Sequence, residues 1–238
     1  MNEEEQNNKK GFVFNVPVAI VIAGIVIAGA VLYSGNSRNP SNQLAGAGES
    51  PKLNVESVTS KDHILGDPNA ELIIIEFSDM ECPFCKTFHQ TMKRIIEVYG
   101  DSKDVAWVYR HFPLLSIHPK AHAEAQAAEC AAELGGALGF WEFIDAVFEI
   151  TPSNNGLDEA LLPQIAEDVG VNRADFEACL ASGKYADFID ESIQKAIAAG
   201  AQGTPHSIIL TKDGETIPIF GAETFEQVKK KIDSILEK

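Results

Sequence analysis

Cys82-Pro83-Phe84-Cys85 is the arrangement in this sequence best suited to chemistry: two thiols close enough to make and break one disulfide. A strand-like run precedes it and a helix-like pattern follows, which places Cys82 at a helix N-terminus. Unpaired backbone N–H groups and the positive end of the helix dipole favour a thiolate there, whereas Cys85 lies one turn further in. Cys82 is therefore expected to attack a substrate and Cys85 to resolve the mixed disulfide. Asp79 and Glu81 stand just before the motif and are expected to oppose the thiolate, so that its pKa falls, though not to an extreme. Phe84 offers the sulfurs no side-chain hydrogen bond. Zinc is the competing chemistry, but a structural zinc site needs four ligands and commonly a second close pair. Cys130 and Cys179 are isolated singles, and no metal site is assigned.

The histidines give weaker signals. His118 and His122 have the i, i+4 spacing of a metal pair, but His118 sits before Pro119 and reads more simply as a cap. His206 directly follows Pro205 and is expected near the sulfurs. His89, one turn after Cys85, reads as a packed helix residue, and Phe140 and Trp141 as core.

Several elements must position this dithiol. Glu71–Phe77 (ELIIIEF) is a short β-branched run that reads as a buried strand. Phe88, Met92, Ile95, Ile96 and Tyr99 recur at helical spacing up to Gly100, and Val105–Arg110 is a second strand. A helical block at about 117–200 follows. It contains an alanine-rich stretch, Ala121–Leu134, stopped by Gly135-Gly136, then the aromatic Phe140–Ile150. Three shorter helices follow, around Leu161–Val169, Ala174–Leu180 and Phe188–Ala199. Ser207–Thr211 and Thr216–Phe220, joined across Asp213-Gly214, form a hairpin signal, and Thr224–Glu237 is a closing amphipathic helix.

The N-terminal region has a different character. Val16–Tyr33 is uncharged, and Phe12–Phe14 extend it. Eighteen helical residues rise about 27 Å, close to the roughly 30 Å hydrocarbon core. Lys9 and Lys10 before it are expected to keep residues 1–11 in the cytoplasm and to put everything after Tyr33 outside. The expected organisation is a cytoplasmic N-terminus (1–11), a transmembrane anchor (12–33), a flexible Ser/Asn/Gly/Pro-rich linker (34–60) and a domain at 61–238. A signal peptide cleaved near Ala45-Gly46-Ala47 is the rival reading, and both readings export the domain. Export and an even cysteine count favour a structural disulfide between Cys130 and Cys179, with two buried free thiols as the alternative.

Composition narrows the function classes further. Of 238 residues, 45% are apolar, enough for a packed core. Thirty-five acids against nineteen bases give a net charge of −16, which argues against nucleic acid as a partner. Residues 1–60 hold five acids and four bases, so the charge belongs almost wholly to the domain.

CPFC after IIIEFSDME, RHFPL at 110–114, the helical block and Gly203-Thr204-Pro205 before a hairpin together resemble the DsbA-type thiol:disulfide oxidoreductases. The resemblance runs from about His63 to the end. It implies a thioredoxin-like α/β fold with an inserted α-helical domain. Thr204-Pro205 matches the family's cis-proline dipeptide, which packs against the CxxC. Glu76 matches the buried acid that shuttles protons to the resolving cysteine. Pro83, Phe84, Thr204, Pro205 and His206 would then line the substrate groove. The family's best-known oxidases carry histidine where Phe84 stands. The implied activity is introduction of disulfides into unfolded exported proteins bearing thiols. No cofactor is implied, and reoxidation would come from a membrane partner of DsbB or VKOR type. A reductase or isomerase using the same site, or a non-catalytic thiol metal-binding module, are the alternatives.

Overall fold

The computed structural model describes residues 55–237. The expected cytoplasmic N-terminus, the transmembrane anchor and most of the linker lie outside these residues. Among the described residues, no helix is long and apolar enough to cross a membrane.

Five strands make one mixed sheet: β1 (His63–Leu65), β2 (Leu72–Ser78), β3 (Val105–His111), β4 (His206–Thr211) and β5 (Thr216–Ile219), in the order β1-β3-β2-β4-β5. β2 is central, parallel to β3 and antiparallel to β4. The β2–β3 crossover runs through helix α1 (Pro83–Tyr99), as a parallel pair requires. β5 lies at the sheet edge and holds Pro218, a position that tolerates the missing N–H. The three-residue β1 pairs antiparallel with β3; it is too short to show a period in the sequence.

Strand alternation sends residues to two faces. Leu72, Ile74, Val105, Trp107, Tyr109 and Ile209 pack on one face, with α1 and the closing helix α6 (Phe225–Leu236). Ile75, Phe77, Val108 and Ile208 pack on the other, against Ala196 and Ala199. Helix α6 starts with a capping box in which Thr224 and Gln227 satisfy each other's backbone N–H groups.

The helical insert comprises α2 (Ala121–Ile150), a short 3-10 turn (Glu159–Leu161), α3 (Leu162–Asp168), α4 (Arg173–Ser182) and α5 (Ala186–Ala198). The Gly135-Gly136 stop takes the form of a break inside α2, where Gly136 has φ 67°. A side chain there would meet no neighbour, so the glycine serves the backbone conformation alone. Aromatic residues from α2 join the main core: Trp141 packs at a tilt against Trp107 with ring centroids 4.7 Å apart, and Phe140 approaches Tyr109 edge-on at 5.7 Å.

Cys130 and Cys179 form a disulfide that joins α2 to α4 across 49 residues. In the chain-entropy account a loop of that length stabilises the fold by about 4 kcal/mol. Replacing both cysteines (Cys130→Ala with Cys179→Ala) is therefore expected to lower unfolding stability in urea by about that amount. The remaining thiol pair should keep its reactivity, because the bridge lies within the insert.

Candidate active site

The site begins where β2 runs out. After Ser78 the chain turns through Asp79-Met80-Glu81 and enters α1, with Cys82 as the N-cap in extended conformation and Pro83 in the first turn. Proline suits that position because its missing N–H would have no helical partner. A cysteine at the N-cap puts sulfur where other helices place a serine or aspartate oxygen.

Both thiols are free and largely buried. Cys82 keeps 4% exposure and Cys85 none. The pKa of Cys82 is lowered to about 6, first by a hydrogen bond from the Cys85 thiol, against the opposing effect of burial. The Thr204 side chain and the backbone N–H groups of Phe84 and Cys85 lower it further. Cys85 moves the other way. Burial pushes it well above the ordinary thiol value, and its bond to Cys82 and the nearby Glu76 add to the rise. Its sulfur accepts the Asp79 backbone N–H at 3.5 Å.

Thr204-Pro205 forms a cis peptide, and the Thr204 carbonyl lies 3.5 Å from Cys82 Sγ. A dipeptide more than a hundred residues downstream thus closes the site from the start of β4.

Beneath the thiols the sheet face turns polar. Glu76 is completely buried and points to the same side as Trp107 and Tyr109. Trp107 Nε1 donates to Glu76 Oε2 at 3.0 Å. Burial pushes the Glu76 carboxyl up to about 7, with the Cys82 charge adding to the rise and the Ser78 and Trp107 hydrogen bonds opposing it. The Tyr109 phenol is driven well above its usual value, chiefly by burial and then by Glu76 and Cys85. A proton-holding group poised near neutrality therefore sits beside the deeper sulfur. Trp107, which holds it in place, was not singled out from the sequence.

Asp79 and Glu81 do other work than opposing the thiolate. Asp79 accepts the Glu81 and Leu114 N–H groups at 2.8 Å each and lies 2.8 Å from His118 Nδ1. Glu81 accepts the Gly156 and Leu157 N–H groups at 3.2 Å, while its carbonyl takes the Asn154 N–H at 2.7 Å. Both acids are buried and bind the motif's turn to the loops at either end of α2. Glu124, also buried, has its carboxyl pushed up to about 9 by burial and by Glu81 and Asp79. One turn into α1, Lys86 Nζ donates to the Glu149 and Thr151 carbonyls at the C-terminus of α2, at 3.2 and 2.6 Å.

His206 departs from expectation. It pairs with Phe77 in the β2–β4 register, and its ring lies 6.1 Å from the Phe77 ring. Phe77 belongs to the opposite sheet face, so alternation turns His206 away from the sulfurs. Its pKa is lowered by burial, against a hydrogen bond with the Ala199 backbone. Phe84 is 65% exposed beside Cys82, and Leu115 and Ile117 are exposed on the loop after β3. His118 binds Asp79 and His122 binds Asp190, so the two are not gathered into one site. His89 is buried in α1 against Trp107 and Phe148 and bonds Asp145.

A family profile described as Thioredoxin matches residues 58–234. Among solved structures, DsbA2 of Pseudomonas aeruginosa is 29% identical, with a TM-score of 0.62 over 75% of this chain and 97% of that one. The alpha-DsbA1 of Wolbachia pipientis is 26% identical, with a TM-score of 0.64 over 74% and 92%. Among curated proteins, the Na(+)/H(+) antiporter NhaA 3 of Salinispora tropica is 33% identical over 145 residues, which are 61% of this chain and 21% of the relative. The chain thus spans about a fifth of the length of the curated relatives it first matches.

The raised carboxyl makes a stability prediction with a definite sign. An unfolded glutamate titrates near 4.5 and the folded Glu76 near 7. The folded state therefore holds the extra proton between these values, and stability falls as pH rises through that window. Glu76→Gln carries no such charge and can still accept from Trp107. Denaturant unfolding of reduced protein should show the variant no more stable than wild type at about pH 4. At about pH 8 it should be more stable by as much as about 3 kcal/mol. A difference independent of pH would contradict the assignment.

Proposed function

The chain belongs to the thioredoxin family and is a DsbA-like protein-disulfide oxidoreductase; from that premise we propose that it acts outside the cytoplasm, tethered to the membrane by residues 12–33, as an oxidase. The observation that carries the oxidase reading is the opposed displacement of the two thiols, Cys82 down to about 6 and Cys85 up, above a carboxyl near 7; the tether and the location rest on the uncharged Val16–Tyr33 run after Lys9 and Lys10.

In the oxidised enzyme a substrate thiolate attacks Cys82 Sγ of the Cys82–Cys85 disulfide. The Cys82–Cys85 bond breaks, a substrate–Cys82 bond forms, and the electron pair leaves on Cys85. That sulfur holds its proton strongly, so the departing thiolate needs a donor, and Glu76 is placed to supply the proton. A second substrate thiolate then attacks the substrate sulfur and expels Cys82. A thiol with pKa about 6 is a good leaving group at neutral pH. The substrate gains one disulfide and the enzyme gains two electrons, which must pass to a membrane reoxidase of DsbB or VKOR type.

The same pKa bears on direction. At pH 7 a thiol of pKa about 6 is about nine-tenths ionised, which stabilises the reduced enzyme by about 1.4 kcal/mol relative to an ordinary thiol. That corresponds to about 30 mV toward oxidising strength. The exposed Phe84, Leu115 and Ile117 provide apolar contact for an unfolded chain, and Thr204 offers backbone groups beside Cys82.

Oxidised enzyme mixed with a reduced, disulfide-containing protein should speed recovery of that protein's native activity. Cys82→Ser should give only the background rate. Cys85→Ser should accumulate a mixed disulfide with substrate through Cys82. An oxidised enzyme no better than the Cys82→Ser control, together with fast reduction of a substrate disulfide by the reduced enzyme, would replace the oxidase reading with a reductase.

A further inference from the structure

Outside the thiol site, three side chains from three elements converge on one point. His63 comes from β1, His111 from the end of β3 and Glu129 from α2. His63 Nε2 lies 2.8 Å and His111 Nε2 2.9 Å from the same oxygen, Glu129 Oε1, and the three ligand atoms all lie within 4.8 Å of one another. The strand register explains the meeting. His63 pairs with Tyr109, and His111, two residues on, shares that sheet face.

The rings are held before any ligand arrives. His63 stacks on Phe140 with centroids 3.4 Å apart and planes 7° from parallel. His111 meets Tyr109 and Phe140 edge-on at 5.3 and 5.9 Å. His111 and Glu129 are buried, while His63 is partly open. The cluster borders a cavity of about 300 Å³, which leaves room for water or a small anion as further ligands. Two nearby cations are already paired, Arg110 with Asp62 and Lys195 with Glu56 and Glu191.

We propose that His63, His111 and Glu129 form a binding site for a divalent transition-metal ion of the Zn2+ class. Two imidazole nitrogens and one carboxylate oxygen are the donor set such an ion prefers. Magnesium and calcium seek oxygen ligands instead. A modest outward shift of the three side chains would open the hydrogen-bonded triad to the ion, with the remaining coordination positions facing the cavity. The bound ion would clamp β1, the short edge strand through which the chain enters the sheet, to β3 and to the insert. The sequence shows no metal motif because His63 and His111 lie sixty-six and eighteen residues before Glu129.

The test uses the full chain, stripped of metal and with Cys82 and Cys85 oxidised to their disulfide, so that thiols cannot bind. Titration with Zn2+ alone, by calorimetry or against a chromophoric chelator, should show one ion per chain and a rise in melting temperature. Glu129→Gln retains a hydrogen-bond acceptor for both histidines, and His63→Gln changes the partly open member. Both should fold, by circular dichroism, and bind at least tenfold more weakly. Co2+ should give the visible bands of nitrogen and oxygen ligation without thiolate charge transfer. No stoichiometric Zn2+ on the oxidised chain, wild-type affinity in both variants, or a preference for Mg2+ or Ca2+ would each overturn the proposal.

Discussion

A carboxyl buried at the centre of the sheet, directly under a thiol pair, sets the terms for everything around it. Glu76 has no exposed surface, and no cation is among the influences on its pKa. A group in that position holds its proton up to neutral pH because water cannot solvate its charge. Burial acts on the neighbouring Cys85 in the same direction and keeps it a thiol, while hydrogen bonds from Cys85, Thr204 and the first-turn N–H groups leave the charge to Cys82 at the helix N-terminus. The arrangement costs stability whenever Glu76 ionises, which is the kind of local cost that functional sites carry.

The rest of the fold keeps this pair in register. Alternation along β2 puts Glu76 on the α1 side and Phe77 on the other. The parallel β3 supplies Trp107, and the antiparallel β4 brings Thr204-Pro205 up to Cys82. The insert contributes by holding the turn that presents the motif. Asp79 and Glu81 take backbone N–H groups from the loops at the two ends of α2, and Lys86 caps α2. Buried carboxylates with their acceptor sites filled by N–H donors fix geometry more firmly than surface ion pairs do. The Cys130–Cys179 bridge strengthens the same insert from within.

Much of this was legible in the chain itself. The CxxC at a strand–helix junction, the interrupted α/β pattern and the hairpin after Thr204-Pro205 rest on local spacing, and local spacing survives folding. The Gly135-Gly136 break was legible too, since glycine alone serves a positive φ so cheaply. What stayed hidden depends on partners far along the chain. Asp79 and Glu81 look like charges beside a thiolate until their N–H donors, thirty-five and seventy-six residues away, are known. His206 looks close to the sulfurs in sequence, but the β2–β4 register turns its ring to the opposite face. β1 has only three residues, too few for any period, and the triad it completes has no motif.

The most direct test of the central claim is an ultraviolet thiolate titration of the reduced enzyme, with Cys82→Ser and Cys85→Ser alongside. The account predicts one thiolate appearing with a midpoint near pH 6 in wild type and absent in Cys82→Ser. The Cys85 thiol should stay silent until well above the ordinary thiol range. Cys82 titrating near 9, or Cys85 ionising first, would contradict the account at its foundation.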